Sequence, residues 1–208
     1  MNIVFDFGAV LFTWRPVDIV TEVFPEHAKD AASAKLLAQE IFGHDDWQNF
    51  DRGLLPLDAV ADRTTARLGL HGPTLHHMFR TMTERLLPMP DSMAILQELI
   101  ERREASNGVR SVYFLSNMPA PYARELEQTH AFLRNFDGGI FSGDEQCSKP
   151  DPRIYQRLQF RYGFATESTV FIDDMPGNVD AARALGWKGI HFTSAQQLAA
   201  DLAHHCGL

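Results

Sequence analysis

The sequence has few of the features that mark disulfide-rich, membrane-spanning or secreted proteins. Its 208 residues include only two cysteines, Cys147 and Cys206, too few for a disulfide framework or a cysteine-based zinc site. We expect both to be free thiols. No apolar run reaches the roughly 18 residues that a membrane-spanning helix needs, and no basic segment precedes an apolar one at the N-terminus. A cytoplasmic protein with no membrane partner is therefore expected.

Basic residues are also in the minority, with 19 Lys and Arg against 27 Asp and Glu, for a formal net charge of −8. This balance argues against a general nucleic-acid-binding surface, because such surfaces neutralise phosphates with clustered cations. With 45% hydrophobic and 22% charged residues, the composition is that of a globular protein. The length suits one large domain, or a core domain that carries a modest insert.

Five short apolar runs, each bounded by turn residues, are typical of buried strands: 2–5, 111–115, 139–141, 169–172 and 189–192. Helical patterns lie between the last four runs, at 121–133, 151–162 and 177–185, and a final one at 195–206 follows Ser194, a suitable N-cap. Strands and helices therefore alternate. This order predicts an α/β fold, a doubly wound parallel sheet with helices on both faces.

About a hundred residues separate the first two strands, far more than one crossover helix requires, and their apolar residues recur with helical spacing. One helical face is formed by Leu75, Met78, Phe79, Met82 and Leu86. Pro16 and Pro88 are natural breaks near the two ends of this stretch. We predict an inserted all-helical cap at 13–88 and a core made of 1–12 and 89–208, in which a helix at 91–104 follows the cap.

Polar residues follow the predicted strands at their carboxyl ends. This is the region where ligands bind in open parallel sheets. These residues are Asp6 and Gly8, Ser116 and Asn117, Asp173 and Asp174, with Lys149 in a loop before a helix. Singly, each has an ordinary explanation as a helix cap, a turn former or a solvated lysine. Together, three carboxylates at one edge repel each other unless a cation lies between them. Oxygen ligands suit Mg²⁺, and Ser, Lys and backbone N–H groups suit a phosphate.

Four segments resemble the ordered motifs of the haloacid dehalogenase-like hydrolases: FDFGAVL at 5–11, FLSN at 114–117, KPDPRIY at 149–155 and FIDDMPGNVDAA at 171–182. The position of the insert resembles the C1-cap subfamily. The Asp-x-Gly form of the first motif is similar to that of a subset of sugar-phosphate phosphatases. The resemblance implies a Rossmann-like sheet of strand order 5-4-1-2-3.

The resemblance also implies a role for each residue. Asp6 would be the nucleophile that forms an aspartyl-phosphate, and would also bind Mg²⁺. Ser116 and the backbone at Asn117 would hold the phosphoryl oxygens, and Lys149 would neutralise Asp6 and the transferring group. Remaining metal ligands would be the Gly8 carbonyl, Asp174 and Asp173, with Asp174 the more direct ligand of the acidic pair. The implied activity is Mg²⁺-dependent hydrolysis of a small phosphomonoester resembling a sugar phosphate, by a monomer or homodimer.

The sequence departs from most phosphatases of this family at Gly8, where they carry the aspartate that protonates the leaving oxygen and later activates water. A positioned acid or base contributes roughly 10²–10⁴ in rate, so water, a cap residue or an acidic leaving group must substitute. His44 is one cap candidate, although a solvated histidine is the simpler account. Cap residues expected near the substrate are Trp14, Arg15, Phe42, His44, Asp45, Trp47 and Arg52.

Two other functions stay open at this point. In a 2-haloacid dehalogenase the same Asp6 would displace halide from carbon without metal, but the corresponding fourth motif resembles Ser-Ser-Asn and lacks the acidic pair at Asp173 and Asp174. A non-enzymatic relative that binds a phosphorylated ligand would explain Gly8. It would not explain a nucleophile beside a metal site.

Overall fold

A computed structural model describes residues 1–207, apart from the side chains of His205 and Cys206. Its centre is a parallel sheet of five strands: β1 Asn2–Phe5, β2 Ser111–Ser116, β3 Gly138–Phe141, β4 Thr169–Asp173 and β5 Lys188–His191. The strand order is β3-β2-β1-β4-β5. This is the predicted order written from the other edge, so the predicted fold class is confirmed.

The register of the sheet explains why the site residues lie together. Phe5, the last residue of β1, is aligned with Phe114 of β2 and Ile172 of β4. Asp6 therefore leaves the sheet at the same level as Asp173, which ends β4. Because all strands are parallel, the residues that follow them emerge at one edge.

The described chain between β1 and the core helix that precedes β2 is helical, apart from turns, loops and isolated bridges at Gly8, Phe12 and Pro88. The helices are α1 Pro16–Val23, α2 Ala31–Phe42, α3 Asp45–Asp51, α4 Leu57–Leu68 and α5 Gly72–Arg80, followed by a 3₁₀ turn at Met82–Arg85. Asp30 caps α2 by accepting a hydrogen bond from the Ser33 N–H at 2.8 Å. Gly69 ends α4 with a φ of 65°, a conformation that glycine adopts without strain. The exact limits of the cap, 13–88, stay a prediction.

The core helices cover both faces of the sheet. They are α6 Pro90–Glu104, α7 Ala120–Thr129, the short α8 Ser142–Glu145, α9 Pro152–Tyr162, α10 Pro176–Ala184 and α11 Ala195–Cys206. Successive residues of β1 point to opposite faces. Ile3 and Phe5 pack in the cluster that contains α6, α7 and α11, while Val4 packs in the cluster that contains α9.

The chain leaves the core and returns to it through two adjacent segments. The Thr13 N–H donates to the Leu87 carbonyl at 2.8 Å, and the Met89 N–H donates to the Leu11 carbonyl at 2.8 Å. Between them, Phe12 and Pro88 form an antiparallel bridge. These two crossings, the segments through which the chain leaves and re-enters the core, pair into a short ribbon where the inserted helices join it.

Two predicted helices are shorter than expected. The helix predicted at 121–133 ends at Thr129, because His130 is extended (φ −114°, ψ 97°) and its ring packs 5.1 Å from that of Phe12; a 3₁₀ turn follows. The helix predicted from the apolar residues between Leu75 and Leu86 ends at Arg80, because the chain turns at Thr81.

Within residues 1–207, no helix combines the length and the apolar character that crossing a bilayer requires. Cys147 is a free, buried thiol as expected. The thiol of Cys206, predicted to be free, lies outside the described residues.

Candidate active site

Lys149 is the centre of the site and is almost fully buried. Its Nζ contacts Asp6 Oδ1 at 2.8 Å and Asp173 Oδ2 at 2.7 Å, and donates to the Leu115 carbonyl at 2.8 Å. Burial alone would lower the pKa of Lys149, but the carboxylates of Asp173 and Asp6 outweigh it and raise the pKa. The ammonium therefore stays charged while all three of its protons are bound.

Asp6 presents one carboxylate oxygen to the protein and leaves the other available. Oδ1 accepts from the Phe7 N–H at 2.7 Å and from Lys149. No hydrogen bond from the described residues reaches Oδ2. Burial, with a further contribution from Asp173 and Asp174 and an opposing one from Lys149, raises the pKa of Asp6 to about 7. A cation beside this carboxylate would favour its ionised form.

The two acidic residues at the end of β4 differ in their surroundings. Asp173 is fully buried, with Oδ2 on Lys149 and Oδ1 accepting from the Met175 N–H at 2.8 Å and Asn178 Nδ2 at 2.9 Å. Asp174 is only partly buried, and among the described residues only its own backbone N–H donates to its carboxylate. Burial and the charge of Asp173 raise the pKa of Asp174, which Lys149 partly offsets. Asp173 therefore orients the lysine, and Asp174 is available to a ligand.

The donor set fits a magnesium ion. Asp6, Asp173 and Asp174 each offer a carboxylate oxygen, and these oxygens lie within 4.8 Å of one another. Gly8 lines the same cavity as Asp6 and Asp174. Hard oxygen ligands with solvent access are what Mg²⁺ prefers, and three clustered acids with one lysine leave negative charge that a divalent cation would neutralise.

Ser116 and Asn117 lie at the carboxyl end of β2, close to the other site residues, but only Asn117 faces the cavity. The Asn117 side chain bonds both backbone groups of Lys149: its Nδ2 donates to the carbonyl at 2.9 Å, and its Oδ1 accepts from the N–H at 2.8 Å. Asn117 lines the cavity, whereas Ser116 is buried at the end of the strand and is not among the lining residues. The Asn117 amide thus holds the lysine loop, and a phosphate contact through Ser116 stays a prediction.

A cavity of about 430 Å³ lies between the sheet edge and the helical insert. This volume is within the range of small-molecule sites. Its floor carries polar groups of the core, namely Asp6, Gly8, Asn117, Ser148, Lys149, Asp174 and Asn178. Its other wall carries aromatic and apolar side chains, namely Trp14, Phe42, Trp47, Met82, Leu86, Met118 and Tyr122.

The aromatic wall is packed as one unit. The Phe42 ring stands edge-on to Trp47 with centroids 4.8 Å apart, and edge-on to Trp14 at 5.2 Å. Trp47 also stands edge-on to Phe79 at 5.1 Å. Such edge-to-face arrays fix ring orientations, so the apolar end of the cavity is largely preformed.

Four of the seven cap residues expected near a substrate line the cavity: Trp14, Phe42, Trp47 and Arg52. The other three, Arg15, His44 and Asp45, do not. His44 instead caps α3, where its Nδ1 accepts from the Asp46 N–H at 3.1 Å. Because Nδ1 of His44 caps the helix, a structural role for His44 is favoured over a role as substitute acid.

Three cavity residues were not predicted from the sequence: Gln48, Asp51 and Tyr122. Asp51 and Gln48 lie on α3, and Tyr122 lies on α7. Asp51 follows Trp47 by four residues and so lies on the same side of α3. The aromatic residues on that side of α3 were the sequence signal that could have identified Asp51.

Residues 1–186 match the haloacid dehalogenase-like hydrolases, and the chain belongs to this family. The chain is similar to a sesquiterpene phosphatase of Aspergillus oryzae, with 31% identity over 204 residues that cover 98% of this chain and 95% of the relative.

Solved structures of the same architecture include a haloacid dehalogenase family enzyme of Bacteroides thetaiotaomicron in complex with magnesium and inorganic phosphate. It has a TM-score of 0.67 and 18% identity, with 92% of this chain and 93% of that chain covered. L-2-haloacid dehalogenase from Xanthobacter autotrophicus has a TM-score of 0.66 and 20% identity, with coverages of 97% and 82%. At these identities the likeness concerns the fold alone.

Proposed function

We propose that the protein is a Mg²⁺-dependent phosphatase that hydrolyses a small phosphomonoester through an aspartyl-phosphate on Asp6. The observation that carries this proposal is the arrangement around Lys149. Its Nζ holds Oδ1 of Asp6, and the second oxygen of Asp6 has no hydrogen-bond partner among the described residues at the floor of the cavity. An oriented carboxylate beside a fixed cation is what nucleophilic attack on a phosphoryl group needs.

Each residue of the floor has a role in this reaction. Asp6 Oδ2 attacks phosphorus while Lys149 keeps Asp6 oriented and neutralises charge on the phosphoryl oxygens. Ser116 and the Asn117 backbone are proposed to bind those oxygens. Asp6, Asp174 and the Gly8 carbonyl would hold Mg²⁺, with Asp173 close by and oriented towards Lys149. When bound, the ion supplies positive charge that offsets the charge of the phosphoryl group. The insert excludes bulk water from the transfer step.

The acidic pair favours a phosphatase over a 2-haloacid dehalogenase. A metal-free displacement at carbon needs a nucleophile unencumbered by cations, and a second and third carboxylate beside Asp6 would then raise the free energy of its ionised form. The similarity to a haloacid dehalogenase structure concerns the fold, and so it does not decide the chemistry. The available Asp174 carboxylate next to Asp6 supports the metal-dependent reaction.

We further propose that the ester carries an apolar alcohol. Seven aromatic or apolar side chains form the wall opposite the floor, and only Gln48, Asp51 and Arg52 add polar groups from α3. A sugar would leave most of its hydroxyl groups without partners there, which costs free energy on burial. A relative that covers nearly the whole chain is a sesquiterpene phosphatase, and terpenyl phosphates are therefore the first substrates to test. A sugar phosphate is the second candidate.

The test is release of inorganic phosphate from geranyl and farnesyl phosphates, glucose phosphates, nucleotides and p-nitrophenyl phosphate, each with Mg²⁺ and with excess chelator. Halide release from 2-chloropropionate is measured in parallel. We expect metal-dependent phosphate release, with the highest kcat/KM on the terpenyl esters. Metal-independent halide release would establish the dehalogenase instead, and no reaction in either assay would favour the phospho-ligand-binding protein.

A further inference from the structure

Gly8 leaves the proposed phosphatase without an acid at the position two residues after Asp6, so a proton donor must come from elsewhere in the cavity. The described lining residues include three carboxylates, which are Asp6, Asp174 and Asp51. Asp6 and Asp174 belong to the acidic cluster at the sheet edge. Asp51 stands apart from that cluster, at the end of α3 in the cap.

The Asp51 carboxyl has no hydrogen bond or ion pair with the described residues, although it adjoins an arginine. The Arg52 guanidinium turns away to other partners: Nε donates to Ser148 Oγ at 3.0 Å, and Nη2 donates to Gln48 Oε1 at 3.4 Å. An unpaired carboxyl against an aromatic wall is more stable when protonated. Burial raises the pKa of Asp51 well above its usual range, while Arg52 and Lys149 lower it in part.

The position of Asp51 is fixed by three contacts between its chain segment and the core. Its carbonyl accepts from Ser142 Oγ at 2.5 Å, and the same oxygen atom of Ser142 accepts from the Met118 N–H at 2.8 Å. Arg52 bonds Ser148 as described. A Cβ on Gly53 would lie 2.3 Å from the Gly143 carbonyl oxygen, so only glycine allows this close approach. The Asp51 backbone is thereby tied to the segment that follows β3, and through Ser142 to the loop that follows β2.

Other cavity groups are less suited to proton transfer. Tyr122 donates its hydroxyl hydrogen to the Phe79 carbonyl at 2.6 Å. Burial, reinforced by the charge of Asp51, raises the pKa of the Tyr122 phenol. The Arg52 guanidinium is already bound to Ser148 and Gln48, and Lys149 is held by three acceptors.

We propose that Asp51 is the general acid and base of this hydrolase, in place of the aspartate that Gly8 lacks. This assignment rests on the proposed phosphatase function. As Asp6 Oδ2 forms its bond to phosphorus, the bond between phosphorus and the ester oxygen breaks, and that oxygen takes the proton of Asp51 and leaves as the alcohol. Asp51, now a carboxylate, takes one proton from the water that attacks the aspartyl-phosphate. Inorganic phosphate leaves, and Asp6 and Asp51 return to their starting forms.

The test compares a poor leaving group with a good one. An alcohol such as geraniol needs a proton to leave, whereas p-nitrophenolate does not. We expect Asp51→Asn to slow alcohol release in the first turnover by about 10²–10⁴ for geranyl phosphate and by less than about tenfold for p-nitrophenyl phosphate. Steady-state kcat should fall for both esters, because the variant also lacks the base that activates water in the shared second step. Asp45→Asn is the matched control, because Asp45 is exposed on the same helix and does not line the cavity.

A second variant restores an acid at the sheet edge. A Cβ at Gly8 meets only Trp14, at an ordinary 3.7 Å, and Gly8 has no positive φ, so Gly8→Asp is compatible with the backbone. In the Asp51→Asn background, Gly8→Asp should raise kcat on geranyl phosphate at least about tenfold, since a positioned acid is worth roughly 10²–10⁴.

The outcomes separate this assignment from the proposed function. Equal effects on first-turnover alcohol release from both esters, or none on release from geranyl phosphate, overturn the role of Asp51 while the wild-type activity upholds the phosphatase. A wild-type protein inactive on both esters overturns the proposed function and the assignment with it. A selective loss of first-turnover release from the poor leaving group, with Asp45→Asn unaffected, supports both, and rescue by Gly8→Asp supports the proton-transfer role directly.

Discussion

The two ends of the cavity are built on opposite principles. At the core end Lys149 is bound to Asp6 and Asp173, and Asp173 is bound further to Met175 and Asn178. At the cap end the wall consists of packed rings, and its carboxyl, Asp51, has no bonded partner among the described residues. One end is a network of bonded charges, and the other is an apolar surface interrupted by the polar side chains of Gln48, Asp51 and Arg52.

This difference indicates how the work is divided. In the proposed reaction the core end, whose side chains are positioned by the register of the sheet, would bind the phosphoryl group common to all substrates. The helical side chains of the cap end would bind the alcohol attached to that group. We therefore expect variants at the core to lose chemistry for every substrate, and variants of the aromatic wall to lose discrimination between substrates.

The largest effect is expected for Asp6→Asn. The amide cannot act as the nucleophile, so we expect kcat to fall by at least about 10⁴ for every ester. Mass spectrometry of enzyme stopped during turnover should show one added phosphoryl group on the wild type and none on the variant. Asp18→Asn, at an exposed position of α1, is the control. Wild-type turnover by Asp6→Asn would rule out the covalent mechanism.

The next largest effect is expected for Lys149→Met, which keeps the length of the side chain and removes its charge. Asp6 and Asp173 then face each other without a cation, so we expect the free energy of unfolding to fall by up to about 3–5 kcal/mol. The kcat should fall about 10²–10³ for all substrates. Denaturant titration and steady-state kinetics provide the measurements, with exposed Lys35→Met as the control. Unchanged stability would contradict the buried network.

A smaller and selective effect is expected for Phe42→Ala at the cap end. Removal of one ring from the wall should lower kcat/KM on geranyl phosphate by about 10–100-fold, equivalent to about 1–3 kcal/mol of apolar contact. The value for p-nitrophenyl phosphate should change less. Phe160→Ala removes a ring that is 92% exposed on α9 and serves as the control. Equal losses on both esters would place Phe42 outside the specificity surface.

The smallest effect is on stability, for Asp51→Asn. Because the pKa of Asp51 is raised by burial, the folded state keeps a proton that the unfolded chain loses, and wild-type stability falls as the pH rises between the two pKa values. Each unit of difference corresponds to about 1.4 kcal/mol. Asn does not titrate, so the Tm of the variant should exceed that of the wild type more at alkaline than at acidic pH. Scanning calorimetry against Asp45→Asn measures this, and a gap independent of pH would argue against a protonated Asp51.

The core end was predictable from the sequence because its signals are local. Asp6 and Asp173 directly follow apolar runs, and parallel strands end at one edge, so their proximity follows from the fold class. The separate roles of Asp173 and Asp174 did not follow. They depend on the Asn178 side chain and the Met175 N–H, which reach Asp173 only once α10 has formed against β4.

The cap end was only half predictable, because some of its residues are positioned by contacts that are distant in sequence. Trp14, Phe42 and Trp47 were candidates because aromatic residues in an insert must pack somewhere. Asp51 carries no such signal, since an acid at the end of a short helix is usually solvated. Its direction is decided by contacts far away in sequence, through Ser142 and Gly143. The opposite holds for His44, a residue predicted near the substrate. It caps α3 instead, because the helix begins directly after it.

The ribbon formed by the two crossings, with Leu11 bonded to Met89 and Thr13 to Leu87, makes the insert interchangeable in principle. The chain departs and returns at neighbouring points, so an insert of different length can be spliced between them without displacing β1 or Asp6. Substrate range can then change by exchange of this segment while Asp6, Lys149 and the acidic pair keep their positions, provided that the new insert also supplies a proton donor in place of Asp51. For protein engineering, grafting another helical insert between Phe12 and Pro88 is the natural way to give this core a new substrate.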